Sequence, residues 1–278
     1  MNTYYPLHDK NHIIVPMQRE AGMNTLEMFD LTGKRCLITG SSRGIGFALA
    51  GGLAGAGAEV ILNGRDANAV NEAAETLRAE GATVHALIFD VTDHAACAKA
   101  VDEFEAKTGP IDILVNNAGM QHREALEDFP TDAFDRLMRT NVYSVFNVGQ
   151  PVARHMIARG QGKIINIGSI QTALARPSIA PYTASKGAVG NLTKGMATDW
   201  GPKGLQINAI APGYFKTELN QALVDDAEFS AWVSKRTPAG RWGNVDELVG
   251  AAVFLSSDAS SFVNGVTLFV DGGMSSCV

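Results

Sequence analysis

RCLITGSSRGIG, residues 35–46, runs from a short apolar, β-rich segment straight into a turn with glycines at 40, 44 and 46. The residues that follow, FALAGGLAGAG (47–57), are small and apolar, as in a helix lying flat on a sheet. Strand, tight turn and helix in immediate succession open a βαβ unit. Missing side chains let the backbone turn sharply and approach a pyrophosphate, whose charge would rest on free N–H groups at the positive end of a helix. The spacing is GxxxGxG, not the commoner GxGxxG, and with 29 glycines in the chain the triplet means little outside this strand-turn-helix context.

Outward from this unit the pattern repeats. EVILNG, TVHALIF, IDILVNN, KIINIGS, LQINAIAPG and VTLFVDGG are continuous apolar runs, separated by helical stretches at 67–80, 94–107, 131–159, 181–200 and 245–256. Apolar runs of that length, alternating with helices, indicate strands buried on both faces. The expectation is α/β: one doubly wound domain over 29–278, with a seven-stranded parallel sheet and helices on both faces. The long stretch without strand pattern, 214–242, follows a strand's carboxyl end, where such sheets bind ligands, and reads as a lid.

Composition narrows the function. Of 278 residues, 46% are hydrophobic and 19% charged, and the net charge is -6 with basic residues scattered. That balance draws the chain toward neither nucleic acid nor an anionic membrane, and a small-molecule partner is expected. No apolar stretch reaches transmembrane length. Residues 1–28 show neither periodicity nor a core face and read as a partly disordered extension that is no secretory signal. Cys36, Cys97 and Cys277 have no paired spacing, which suits reduced thiols in a cytoplasmic protein without a metal site.

The end of the second strand should select the nucleotide. An acid there would hold an adenosine ribose and exclude a 2'-phosphate, but EVILNGRD places Asn63 and Gly64 at that point, followed by Arg65. Arg43 of the glycine turn can reach the same place. Two guanidiniums favour NADP over NAD through forked, charge-assisted bonds. Asp66 and Arg65 could equally form an ordinary solvated turn.

A second constellation lies in APYTASKGAVGN, residues 180–191, where Tyr182 and Lys186 share a helix face. Ser169 ends the strand KIINIGS, so its hydroxyl can meet the phenol at the sheet's carboxyl edge. Asn141, a poor helix former inside a long helix, suggests an interior polar role. One ammonium about 4 Å from a phenol, at an effective dielectric near 20, is worth roughly 4 kcal/mol. That would bring the phenol from its ordinary pKa of about 10 toward working pH.

TGSSRGIG, Asp90, NNAG at 116–119, Asn141, Ser169, YTASK at 182–186 and APG at 211–213 occur in one order over residues 31–273. In that combination the chain resembles the short-chain dehydrogenases/reductases. The resemblance implies a Rossmann-like fold, a catalytic set of Asn141, Ser169, Tyr182 and Lys186, and a homotetramer built on the two long helices and the last strand. It implies a proton taken by Tyr182 as hydride leaves the same carbon for the nicotinamide. Ser169 would hold the substrate oxygen, Lys186 the nicotinamide ribose, and Asn141 a water that relays the proton. Gly40, Ser42, Arg43, Gly44, Ile45 and Gly46 would take the pyrophosphate side, with Asn63 and Arg65 at the ribose. Asp90 with Val91 would meet the adenine, Asn117, Ala118 and Gly119 would line the cleft, and Pro212, Gly213 and Thr217 would border the nicotinamide.

NGRD, NNAGMQHRE, QTALARPSIAPYTASK, APGYFKTEL and KRTPAGRWG are similar to the sugar-acid branch of that family, which implies gluconate and 5-ketogluconate as the substrate pair. Arg123 and Arg176 could grip a carboxylate, with Gln121, His122 and Gln171 available for hydroxyls. Each taken alone reads as well as a surface residue. A polyol or another carbonyl substrate, such as a 3-oxoacyl group on a carrier protein, is the alternative. A catalytically silent regulator would have lost Ser169, Tyr182 or Lys186, and all three are present.

Overall fold

The structure, a computed structural model, describes residues 24–277. Strands β1 (Arg35–Ile38), β2 (Glu59–Gly64), β3 (Val84–Ile88), β4 (Ile113–Asn116), β5 (Gly162–Ile167) and β6 (Leu205–Pro212) alternate with helices. These are α1 (Gly44–Gly55), α2 (Ala67–Ala79), α3 (His94–Lys107), α4 (Thr131–Met138), α5 (Ser144–Arg159) and α6 (Ala180–Trp200). The chain then forms β7 (Phe215–Lys216), α7 (Gln221–Val224), α8 (Ala227–Arg236), β8 (Gly243–Asn244), α9 (Val249–Ser256) and β9 (Thr267–Val270).

Seven strands form one sheet in the order β3-β2-β1-β4-β5-β6-β9, every pair parallel, as the apolar runs imply. Both faces are covered. Cys36, Ile38, Val60 and Leu62 pack with Leu49, Leu53, Val70, Leu77 and Leu255 of α1, α2 and α9. Leu37, Ile61 and Leu114, one step along their strands, face Val101, Phe104, Val148, Val152 and Met196 of α3, α5 and α6. The strand order reverses between β1 and β4, which opens a crevice at their carboxyl ends.

Two boundaries differ from the sequence reading, and both matter to the site. Helix α1 starts at Gly44 rather than Phe47, so its first amides lie inside the glycine motif. The helix expected over 131–159 carries a π turn at Arg139–Tyr143 between α4 and α5, and this extra residue in the ladder turns Asn141 into the interior.

The segment 214–242 folds back over the carboxyl edge as β7, α7 and α8. Val233 and Trp242 pack there with Ile170 and Met274, flanked by Tyr214, Leu223, Val224 and Phe229. Most of the extension expected over 1–28 lies outside the described residues. Its last part is an exposed 3-10 turn at Thr25–Phe29, capped by the Asn24 side chain.

Candidate active site

The cleft at the switch point is built from short hydrogen bonds between strand ends. Thr39 accepts from the amides of Asn117 and Ala118, both at 3.0 Å, and Asn117 Nδ2 donates to the carbonyls of Thr39 and Gly40, both at 2.9 Å. These bonds hold the glycine loop against NNAG. A Cβ at Gly46 would come within 2.4 Å of Asn117 Nδ2 and 2.5 Å of the Gly40 carbonyl, so only glycine fits the approach. Helices α2 and α3 are capped by Asp66 and Asp93, whereas the cap residue of α1, Arg43, makes no side-chain bond to the first turn. The first amides of α1 therefore keep their donors for an anion, and the loop fits a dinucleotide pyrophosphate.

The second strand's end is resolved by the same geometry. Asn63 is buried and turned inward: Oδ1 accepts from the Gly40 amide at 3.4 Å, while Nδ2 donates to Leu87 and Phe89 carbonyls at 3.0 and 3.2 Å. Its side chain shapes the loop and has no donor left over. Asp66 is spent as the N-cap of α2, accepting from Asn68 and Ala69 at 2.9 and 3.2 Å. Arg65 and Arg43 lie exposed at the rim, Arg65 3.7 Å from Asp90 and Arg43 3.9 Å from Glu218. Val91 borders the same cleft and accepts from Asn147 at 3.0 Å through its carbonyl, while Gly213 donates to Val270 at 3.0 Å.

The catalytic set assembles at the next strand ends. Ser169 follows β5 and caps a 3-10 turn at Ile170–Thr172, accepting from the Gln171 amide at 3.2 Å. Its hydroxyl lies near enough to the Tyr182 phenol to lower that group's pKa. Lys186, one turn along α6, donates from Nζ to the Ile167 carbonyl at 2.7 Å, with that nitrogen 5.8 Å from the centroid of the Tyr182 ring. Asn141 accepts from Met120 N at 2.8 Å and donates to Met120 O at 3.0 Å and Ser185 Oγ at 3.1 Å. Ser185 Oγ in turn donates to the Tyr182 carbonyl at 2.7 Å. The Asn141 amide thus ties the loop after β4 to the helix turn that carries the phenol.

The electrostatics correct one expectation. Burial pushes the Tyr182 phenol above its ordinary value, opposed by the Ser169 hydroxyl and by the charge of Arg123. The direction is opposite to the one expected from the Lys186 charge. The Lys186 amine is directed at a carbonyl, and burial lowers its own pKa to about 8.

Arg123 and Arg176 come from different loops, joined by a backbone bond from Glu124 N to Ser178 O at 3.1 Å. Ser178 adopts φ of 66°, an uncommon conformation for a residue with a side chain. Arg123 lies at the exposed rim; partial desolvation and then the charge of Arg176 lower its pKa, while Tyr214 and Tyr182 raise it. Burial raises the pKa of the Tyr214 phenol, and the charge of Arg176 opposes it. Among the described residues neither guanidinium has a carboxylate within salt-bridge distance. Gln171 Oε1, His122 Nε2 and Arg176 Nε are buried polar atoms without a partner. Arg123 lies close enough to Tyr182, Tyr214 and Arg176 for their charges to act on one another.

A family model described as enoyl-(acyl carrier protein) reductase matches residues 40–275. A gluconate 5-dehydrogenase of Gluconobacter oxydans is 62% identical over 252 residues, which cover 91% of this chain and 98% of that one. The chain belongs to the short-chain dehydrogenase/reductase family. A 5-keto-D-gluconate 5-reductase of Escherichia coli is 52% identical over 89% of this chain and 98% of its own. Among solved structures, a gluconate 5-dehydrogenase of Burkholderia cenocepacia in complex with NADP and tartrate superposes with a TM-score of 0.90. It is 61% identical and covers 92% of this chain and 100% of that one. As a member of this family the protein is an oxidoreductase.

Reading the dehydrogenase/reductase from sequence missed Thr39, Ser185, Tyr214, Asn220 and Phe229. Thr39 and Ser185 stand inside the motifs TGSSRGIG and YTASK, so their place was visible and only their bonds were not. Nothing in the segment 214–242 marks Asn220 or Phe229 before folding.

Proposed function

We propose that the enzyme transfers hydride between NADP and the C5 position of D-gluconate, interconverting it with 5-dehydro-D-gluconate. The observation that carries this reading is the pair Arg123 and Arg176, whose charges bear on the Tyr182 and Tyr214 phenols and meet no carboxylate among the described residues, which asks for an alcohol bearing a carboxylate. Ser169 orients the reacting hydroxyl, Tyr182 takes or returns its proton, and Lys186 holds charge behind the phenol. Gln171 Oε1 accepts from a second hydroxyl. Asn141 positions the helix turn through Ser185. NADP, when bound, would supply the hydride acceptor or donor. The first amides of α1 hold its pyrophosphate, and Arg43 with Arg65 hold the 2'-phosphate, a reading helped by Asp66 being spent as a helix cap. The relatives' names support the same substrate class.

We further read 214–242 as a lid over this site, 1–28 as an extension outside the catalytic domain, and the working form as a cytoplasmic homotetramer. Exposed Phe134, Tyr143 and Phe146 on the α4–α5 stretch and Phe262 near β9 support association, and sedimentation would test it. Cys36, Cys97 and Cys277 are all free thiols, as a reducing compartment allows. Among the described residues no helix is long and apolar enough to cross a membrane.

The deciding experiment follows nicotinamide absorbance with D-gluconate and NADP, beside NAD and the Tyr182→Phe protein. NADP-dependent turnover that drops about 10³-fold in the variant is expected. Turnover of 3-oxoacyl or neutral polyol substrates with none of gluconate would overturn the substrate assignment.

A further inference from the structure

Both guanidiniums touch the segment folded over them. Arg176 stacks on Phe229 of α8, its Cζ 5.4 Å from the ring centroid. That ring is fixed in an aromatic cluster, 5.7 Å from Tyr214 and 5.4 Å from Trp232 between centroids. On the other side, Asn220 Nδ2 donates to the Phe215 carbonyl at 3.1 Å, which leaves Oδ1 facing Arg123 Nη2 at a long 3.5 Å. The arginines themselves belong to the loops after β4 and β5, in the body of the domain. An anion lying between them would sit at the joint between body and lid.

We infer that Phe229 and Asn220 are positioning residues that hold Arg176 and Arg123 in carboxylate-binding orientation, so that a substrate's carboxylate engages the lid. This rests on the sugar-acid reading of the site. An arginine without a carboxylate partner would otherwise extend into water, because its long side chain regains rotamer freedom there. The aromatic face offers an alternative to hydration. The Nε of Arg176 is buried and unpartnered, as a donor kept for a ligand would be. Neutral alcohols accept single hydrogen bonds from a guanidinium but cannot form the bidentate ion pair, so the lid residues discriminate by charge.

The test uses the NADP-loaded enzyme with Phe229→Leu, Phe229→Tyr and Asn220→Ala. Titration of Trp fluorescence with D-gluconate should show Kd raised about 3- to 30-fold in the Leu variant and restored in the Tyr variant. NADP affinity and the kcat reached at saturating gluconate should hold. D-Sorbitol, the neutral probe, should bind wild type and variants alike. Equal losses for gluconate and sorbitol, or unchanged gluconate affinity in both Phe229→Leu and Asn220→Ala, would overturn the inference and leave these residues as lid packing. If wild type does not oxidise gluconate, the substrate assignment fails by itself, and the same titration with gluconate and tartrate as carboxylate probes still reads the inference. No carboxylate binding to wild type would overturn it too.

Discussion

The Nζ of Lys186 is bonded to the carbonyl of Ile167, nineteen residues earlier, at 2.7 Å, and the two meet in the interior at the end of β5. The bond fixes the amine beneath the site, but burial costs the charged form and brings the pKa from 10.5 to about 8. The sign of the linkage follows. An unfolded lysine keeps its proton to about pH 10.5, while the folded one releases it near 8, so the unfolded state binds more protons within that window. Stability should therefore rise with pH from about 8 to 10.5 and carry a penalty of about 3 kcal/mol at pH 7. Lys186→Met removes the penalty and loses one hydrogen bond of about 1 kcal/mol. Thermal unfolding at pH 7 should find the variant at least as stable as wild type, without the rise above pH 8, and absorbance should find it at least 10²-fold slower. A clear loss of stability at pH 7 would show that the amine's contacts outweigh its burial.

The parts legible in the sequence were those written in period and punctuation. Seven apolar runs between helices fixed a parallel sheet, and Gly40, Gly44 and Gly46 fixed where the chain must turn or approach closely. Tyr182, Lys186 and Ser169 were placed together because a helix face and a strand end bring them to one edge. What stayed hidden depends on contacts between segments distant in the chain. Asn63 stands where a ribose acid would be, yet its amide is consumed by the third strand, 24 and 26 residues on. The lid's hold on Arg123 and Arg176 joins residues up to 97 apart. The stretch 214–242 reads as a lid and cannot say which ring it lays on a guanidinium. The phenol's titration was misjudged because spacing gives the neighbour's identity but not where its amine points.

Arg65 and Arg43 should separate the two nicotinamide cofactors. Each is about 80% exposed and held only by a long rim contact to Asp90 or Glu218, so both are free to turn to a 2'-phosphate. Replacing either with alanine should raise the KM for NADP about tenfold and leave the weak use of NAD nearly unchanged. Because these charges sit in water, the NADP preference should shrink as salt rises from 50 to 500 mM in wild type, and less so in the double variant. An equal rise for both cofactors would place the arginines at the pyrophosphate instead.

Asn63 should behave as a structural residue despite its position at the nucleotide cleft. Alanine there removes three hydrogen bonds and strands the carbonyls of Leu87 and Phe89 in the interior. A loss of about 2–4 kcal/mol is expected, read as a lower denaturant midpoint, with NADP affinity changed by less than about threefold at low temperature. Asn63→Asp should be worse, since it turns a carboxylate toward two carbonyls that need donors. Loss of NADP binding without loss of stability would restore Asn63 to the cofactor.

Gly46 is tested by the smallest change available, a methyl group. The backbone there is helical, so Gly46→Ala carries no penalty of conformation and would be mildly favourable in an open helix. Here the added Cβ would stand 2.4 Å from Asn117 Nδ2, 2.5 Å from the Gly40 carbonyl and 2.9 Å from Ser41 Cα. The side-chain amide can swing away, but only by giving up its bonds to Thr39 and Gly40, and the Gly40 carbonyl belongs to the loop itself. Overpacking of this kind costs about 1–3 kcal/mol, and α1 would be pushed off the loop. Thermal unfolding should fall by roughly 2–5 °C for a chain of this length, and the KM for NADP should rise at least tenfold because the first amides of α1 move with the helix. Gly55→Ala, at the far end of the same helix with nothing within 4 Å of the added carbon, is the control and should leave the KM for NADP unchanged and the unfolding temperature unchanged or slightly raised. If Gly46→Ala bound NADP as wild type does, the close approach at the glycine loop would not be what holds the nucleotide.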